Sequence, residues 1–175
     1  MSSKYKILFI ILLLGVFADQ LSKHYVVQHL ALSDSFSIIP GYFDIVHYRN
    51  TGAAFGMFAQ WASPLREVFF YGVFSVAFIF LGYSFYSTPL SDRFSLVSLS
   101  LIFSGALGNI VDRLFRGSVV DFLLFHWQDK IIRVAGHTVD LVWPAFNVAD
   151  SCITVGVILL LLSNLRRTSP KETDN

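Results

Sequence analysis

The sequence predicts a membrane all-α bundle of four transmembrane helices with a small extracytoplasmic β-rich cap. Of its 175 residues, 54% are hydrophobic and only 14% are charged, whereas a soluble domain carries about a quarter charged residues. Four segments also approach the roughly 20 apolar residues that are needed to cross about 30 Å of hydrocarbon. These predicted spans lie at about 7–27, 68–85, 94–113 and 146–165.

The first apolar segment has two possible interpretations. Lys4 and Lys6 precede an apolar run that reaches Ala18, which is the pattern of a cleavable signal peptide. However, Asp19 and Lys23 follow at helical i, i+4 spacing, and further apolar residues come after them. We therefore interpret the segment as an uncleaved first helix.

The second and third segments are free of charged residues, since neither 68–85 nor 94–111 contains Asp, Glu, Lys or Arg. Long connections follow the first and third spans, at about 30–66 and 117–145, and both fall on the same side of the membrane. They are rich in β-branched and aromatic residues, and Pro40-Gly41 interrupts the first of them, which predicts short strands around turns. We expect one membrane-embedded domain over 1–166, followed by a polar cytoplasmic tail at 167–175.

The distribution of positive charge indicates an orientation. Cytoplasmic segments are enriched in Lys and Arg close to the ends of spans. With both termini inside, the inner charges lie in very short segments next to span ends, so we expect the long loops to lie on the outer side of the membrane. The inner set is then Lys4, Lys6, Arg93, Arg166, Arg167 and Lys171, and the outer set is Arg49, Arg66, Arg116, Lys130 and Arg133.

Two aspartates stand at the outer ends of apolar segments. Asp121 follows the third span among Val119, Val120 and Phe122, and Asp150 lies where the fourth span begins. Because consecutive helices alternate in direction, both aspartates come to the same membrane face. An acidic residue in or near lipid is costly and is a functional candidate by default. Two adjacent carboxylates would share one proton, so that one activates water while the other polarises a carbonyl.

Other polar residues accompany the two aspartates. Asn109 and Asp112 share a helix face at i, i+3 spacing, and we interpret Asp112 and Arg113 as an ion pair that ties helices together. Asn147 and Asp150 repeat the i, i+3 spacing, although Asn147 could equally be a helix N-cap.

Nearer the start of the chain, Asp19 and Lys23 can pair along the first helix, which favours a structural role for both. The stretch Asn50-Thr-Gly-Ala-Ala-Phe-Gly56 contains small residues that permit close backbone approach to a ligand or to the helices.

Several other chemistries lack support in the sequence. The five histidines show no metal-ligand spacing, and there is no phosphate-binding glycine loop, so we expect neither a metal nor a cofactor. A net charge of +1 gives no indication of a nucleic-acid partner. The single cysteine, Cys152, is interpreted as a small packing residue.

Five sequence blocks together resemble the bacterial lipoprotein signal peptidase (signal peptidase II) family. They occur in the family's order on a chain of the family's length. The blocks are Asp19-Gln-x-x-Lys23, Asn50-Thr-Gly-Ala-Ala-Phe55, Gly108-Asn-x-x-Asp-Arg113, Val119-Val-Asp-Phe122 and Trp143-Pro-Ala-Phe-Asn-x-Ala-Asp150.

The resemblance implies an aspartic endopeptidase of the bacterial inner membrane. Such an enzyme removes the signal peptide from a diacylglyceryl-modified prolipoprotein and cuts before the lipidated cysteine. By position, Asp121 and Asp150 match the catalytic dyad of the family, and globomycin-type cyclic peptides are expected to inhibit at the same site, with membrane lipid as a further partner. The residues that match the family's supporting or substrate-binding positions are Asp19, Lys23, Asn50, Gly52, Ala53, Ala54, Phe55, Asn109, Asp112, Arg113 and Asn147.

One segment departs from the family pattern. Residues 128–137, between the two aspartates, form a longer connection than is usual, and we expect them to lengthen an outer hairpin. Two other function classes stay open at this point. A small proton-coupled transporter would use Asp19, Asp112 and Asp150 as a relay, and an assembly scaffold would leave Asp121 and Asp150 dispensable.

Overall fold

The computed structural model describes residues 3–52, 63–134 and 137–168. Each of the four helices in these ranges is long and apolar enough to cross a membrane. An antiparallel sheet accompanies them, which confirms the predicted combination of four spans with a small β-rich part. The helices are α1 (Ser3–His29), α2 (Ser63–Ser87), α3 (Arg93–Arg116) and α4 (Val148–Thr168), and the strands are β1 (Ser35–Ile39), β2 (Phe43–Asn50), β3 (Val119–Val134) and β4 (His137–Val142).

The chain forms two compact units, of which the first is helical. It comprises residues 3–18, 70–110 and 148–168 of the described chain. Its buried apolar cluster consists of Leu81 and Phe85 from α2 with Leu96 and Leu99 from α3. Helix α3 is the most buried of the four, because 56% of its apolar stretch is buried, against 6% to 17% for the other three. The exposed apolar side chains of those three helices provide the surface that lipid would cover.

Small residues allow the helices of this unit to approach closely. A side chain at Gly15 of α1 would meet Ser104 of α3, and one at Gly105 of α3 would meet the backbone carbonyl of Ala149. Gly156 of α4 likewise faces the backbone of Ser98. Because lipid tails are as apolar as the helices, such close packing supplies much of the association energy in a membrane.

The second unit contains the sheet and comprises residues 19–52, 63–69, 111–134 and 137–147 of the described chain. The strand order is β1-β2-β3-β4, and all neighbouring pairs are antiparallel. The turn between β1 and β2 contains Gly41 with a φ of +81°, so the strands predicted around Pro40-Gly41 are confirmed. The rings of Phe43 and Phe125 stack across β2 and β3 with centroids 4.6 Å apart.

The expected hairpin after Asp121 is also present. Strands β3 and β4 pair antiparallel, with His126 opposite Val142 and Val134 opposite His137. The long connection therefore extends the sheet within the second unit.

A glycine links the third helix to the strand that carries Asp121. Helix α3 ends at Arg116, and Gly117 follows with a φ of +70° and donates its N–H to the carbonyl of Arg113 over 3.2 Å. Glycine is the residue that most readily adopts this left-handed conformation at the end of a helix. Strand β3 begins two residues later, so Asp121 is its third residue.

Candidate active site

Asp121 lies buried in β3 and accepts hydrogen bonds from two asparagine side chains. Only 5% of the residue is exposed. The Nδ2 group of Asn147 donates to its Oδ1 over 2.8 Å, and the Nδ2 group of Asn50 donates to its Oδ2 over 3.1 Å. The flanking residues Val120 and Phe122 are buried as well. The carboxylate is therefore held in an enclosed, oriented position.

The segment before α4 brings Asn147 to this carboxylate. The carbonyl of Phe146 accepts hydrogen bonds from the N–H groups of Phe122 and Leu123, and the N–H of Phe146 donates to the carbonyl of Leu123. Asn147 is thereby attached beside β3 immediately before α4 begins at Val148. It occupies the N-cap position that the sequence suggested, and its amide also binds Asp121.

Asn50 connects Asp121 to the loop after β2. Its Oδ1 accepts the backbone N–H of Gly52 over 3.0 Å, while its Nδ2 binds Asp121. Arg113 holds the same turn from α3, since its guanidinium donates to the carbonyls of Thr51 and Gly52. Three candidate residues therefore meet at one short turn. Asn50 and Gly52 form part of it, and Arg113 binds its carbonyl groups.

Asp150 belongs to the helical unit. It lies in the first turn of α4, where a negative charge interacts favourably with the helix dipole. Its Oδ1 accepts a hydrogen bond from Nδ2 of Asn109 in α3 over 2.8 Å. Asn109 is 9% exposed and Asp150 is partly buried. Asn109, one of the two residues predicted to share a face of α3, is thus a hydrogen-bond donor to Asp150.

A cluster of charged residues lies beside Asp121 in the sheet-containing unit. Lys23 has no exposed surface, and its Nζ lies 2.9 Å from Oδ2 of Asp19 and 3.0 Å from Oδ2 of Asp112. The predicted pairing of Asp19 with Lys23 is confirmed. The expected pair between Asp112 and Arg113 is wrong, because Asp112 pairs with Lys23 and Arg116. Adjacent residues of a helix point in different directions, whereas residues four apart share a face.

The predicted residues divide between the two units. The sheet-containing unit holds Asp19, Lys23, Asn50, Gly52, Asp112, Arg113, Asp121 and Asn147, and the helical unit holds Asn109 and Asp150. Ala53, Ala54 and Phe55 lie outside the described residues.

Sequence reasoning missed two residues at this cluster, the uncharged Gln20 and the charged Arg116. Gln20 contacts both Asp19 and Asp112, and Arg116 contacts Asp112 and Gln20. The i, i+4 spacing of Asp112 and Arg116 on α3 was the available signal for the second of these residues.

The chain is similar along almost its whole length to one family of proteins. Residues 11–166 match the family model described as Signal peptidase (SPase) II. A protein of Syntrophotalea carbinolica named lipoprotein signal peptidase is 40% identical over 164 residues, which is 94% of each chain. A protein of the same name from Geobacter metallireducens is 39% identical, and the match covers 100% of both chains. Another from Staphylococcus aureus is 35% identical, and the match covers 92% of this chain and 91% of that one.

Two solved structures have the same fold. Both are described as bacterial membrane enzyme structures obtained by the in meso method, at 2.3 Å and 1.9 Å resolution. The first has a TM-score of 0.78 and 33% identity, covering 96% of this chain and 93% of that one. The second has a TM-score of 0.74 and 33% identity, covering 92% of this chain and 94% of that one.

Proposed function

This chain belongs to the signal peptidase II family, and from that premise we propose that it is an aspartic endopeptidase with Asp121 and Asp150 as its catalytic pair. The proposed substrates are diacylglyceryl-modified prolipoproteins, cut before the lipidated cysteine at the outer face of the inner membrane. Family membership and four helices able to span a membrane support a multi-pass protein of the bacterial inner membrane. Membership of this family does not support the alternative function of a proton-coupled transporter.

The observation that carries the assignment of the pair is the way in which each carboxylate is held. Asp121 accepts from Asn147 and Asp150 accepts from Asn109, both over 2.8 Å. An amide donor fixes the direction of a carboxylate. Two carboxylates that are oriented in this way and lie close together would share one proton, which the proposed chemistry requires.

In the proposed reaction, one carboxylate is ionised and the other carries the shared proton. The ionised member takes a proton from a water molecule, whose oxygen bonds to the carbonyl carbon of the scissile peptide. The other member gives its proton to the carbonyl oxygen, which forms a neutral tetrahedral diol. The first member then donates its proton to the amide nitrogen as the C–N bond breaks. The second member takes one hydroxyl proton from the diol, which yields the new carboxyl group and restores the starting protonation of the pair. One water molecule is consumed for each bond cut.

The partners follow from the same proposal. The substrate brings a signal peptide and a diacylglyceryl group, so the site must open toward membrane lipid. A globomycin-type cyclic peptide is proposed to occupy the same site and to compete with the substrate.

Replacement of each aspartate by asparagine tests the pair. Asn nearly preserves the shape of the side chain but cannot accept and return a proton. We expect purified Asp121→Asn and Asp150→Asn each to lose about a thousandfold or more in the cleavage rate of a diacylglyceryl-modified prolipoprotein, because both members are needed in every turnover. Thermal melting checks that each variant is folded.

Asp44 provides the matched control. It lies in β2 of the same sheet, where its Oδ2 is hydrogen-bonded to Nε2 of His126 over 3.0 Å, and the proposed reaction does not use it. We expect Asp44→Asn to stay within a few-fold of the unmodified rate. If Asp121→Asn or Asp150→Asn kept a comparable rate, that carboxylate would be structural, and Asp112 or Asp19 would become the next candidate.

A further inference from the structure

The buried charges beside Asp121 form a balanced set. Lys23 bridges Asp19 and Asp112, and Arg116 makes a second ion pair with Asp112. Gln20 joins them, because its Nε2 group donates to Asp19 over 3.0 Å and to Asp112 over 3.2 Å, and its Oε1 accepts from Arg116 over 2.7 Å. The set contains two carboxylates and two cations, so its formal charge is zero when all four are ionised.

Stability alone is a poor explanation for this set. Asp19 is 1% exposed, and Lys23 and Asp112 have no exposed surface. Removing ionic groups from water costs several kcal/mol for each ion, and well-packed apolar residues often stabilise a core as well as a buried ion pair does. A hydrogen bond from the backbone to Asp112 indicates a second role for the set.

One oxygen of Asp112 binds the strand that carries Asp121. The Oδ2 atom of Asp112 accepts the backbone N–H of Val120 over 3.0 Å. The backbone carbonyl of Val120 in turn accepts a hydrogen bond from Nδ2 of Asn147 over 3.3 Å. Val120 is fully buried. Both backbone polar groups of the residue before Asp121 are therefore held by side chains outside β3.

We propose that Asp112 is a positioning residue for Asp121, acting through the N–H of Val120, and that Lys23 and Arg116 orient the Asp112 carboxylate for this purpose. The proposal rests on the function proposed above. Catalytic groups must be held within about 0.5 Å of their productive geometry by packing and by hydrogen bonds from the residues around them. Asp112 touches neither water nor substrate in this scheme.

The sharpest test removes this one hydrogen bond from the backbone. Incorporating 2-hydroxyisovaleric acid at position 120 replaces the N–H of Val120 by an ester oxygen and leaves every side chain in place. We expect kcat to fall about tenfold or more while KM stays within about twofold, because the lost contact orients a catalytic group and does not bind substrate.

The matched control is the corresponding ester at position 126, in the same strand. The N–H of His126 donates to the carbonyl of Tyr42 over 3.0 Å. This hydrogen bond holds neither Asp121 nor the segment that carries Asn147. We expect a similar loss of melting temperature from both esters, but a kcat within about twofold of the unmodified enzyme for the ester at 126. Equal losses of kcat from the two esters would overturn the proposal.

Side-chain variants give a second, independent readout. Asp112→Ala leaves Lys23 and Arg116 without this partner and can prevent folding. Asp112→Asn also loses the charge but keeps an oxygen that can accept the Val120 N–H. Among variants shown by melting to be folded, we expect kcat of Asp112→Asn to exceed that of Asp112→Ala by about tenfold, with similar KM values. Equal kcat values would contradict a role through Val120.

Failure of this proposal can be told apart from failure of the proposed function. If Asp121→Asn and Asp150→Asn are inactive and the ester at 120 is fully active, only the positioning role is wrong. If Asp121→Asn is active, the catalytic assignment is wrong and the positioning role falls with it.

Discussion

At the scale of single residues, asparagines hold both proposed catalytic carboxylates. Asn147 and Asn50 donate to Asp121, and Asn109 donates to Asp150. An asparagine amide both donates and accepts, so Asn50 can bind Asp121 with one end and the Gly52 N–H with the other. A lysine or arginine in its place would add a charge and would lose the acceptor.

We expect Asn50→Ala to lower the rate of prolipoprotein cleavage by about tenfold, because the Asp121 carboxylate loses a donor that orients it. The melting temperature should fall as well, since a hydrogen bond to a charged group contributes about 1.5–3 kcal/mol to stability. Steady-state kinetics on the purified variant measures the effect. Ser37→Ala, on the exposed strand β1, is the control and should leave the rate unchanged. A fully active Asn50→Ala would show that this donor is dispensable.

At the scale of secondary structure, one glycine lies between the end of a helix and the start of a strand, and another allows two helices to pack closely. Gly117 ends α3 in a left-handed conformation, and β3 starts two residues later. Gly105 lies against the backbone of α4, where a side chain would meet the carbonyl of Ala149 and the side chain of Ile153. The first turn of α4, which carries Asp150, is therefore packed directly on α3.

We expect Gly105→Ala to destabilise the protein by about 1–3 kcal/mol, because an added methyl group must displace neighbouring atoms in a packed interior. Gly82→Ala in α2 is the matched control, since a side chain there meets no atom within 4 Å. That change should be neutral or should stabilise by up to about 1 kcal/mol through helix propensity. Melting temperatures of both variants in one detergent provide the comparison. Equal melting temperatures would show that α4 can move away from α3 at no cost.

At the scale of the whole molecule, the orientation in the membrane stays a prediction from the charge distribution. The proposed function requires the sheet-containing unit to face the periplasm, because lipoprotein precursors are proposed to be cut at that face. Cys152 is the only cysteine in the chain, so a Cys152→Ala background permits labelling at chosen positions.

In that background, we expect Ser37→Cys, on exposed strand β1, to react with a membrane-impermeant maleimide in intact spheroplasts. Lys171→Cys, in the polar tail, should react only after the membrane is permeabilised, because positive charge close to span ends is retained on the cytoplasmic side. Gel shifts of the labelled protein measure both reactions. The opposite pattern would place the termini outside and would remove the proposed active site from the periplasmic face.

The fold class and the interest of Asp121 and Asp150 could be predicted from the amino-acid order alone, because hydropathy and helical spacing are local properties of the chain. For the same reason the pair of Asp19 with Lys23 could be predicted, since these residues lie four apart on one helix. The groups that hold Asp121 became evident only from the folded chain. Its asparagine donors lie 71 and 26 residues away, and Asp112 pairs with Lys23 and Arg116 instead of the adjacent Arg113. The partners of a buried polar group depend on which elements meet, and no local pattern encodes that contact.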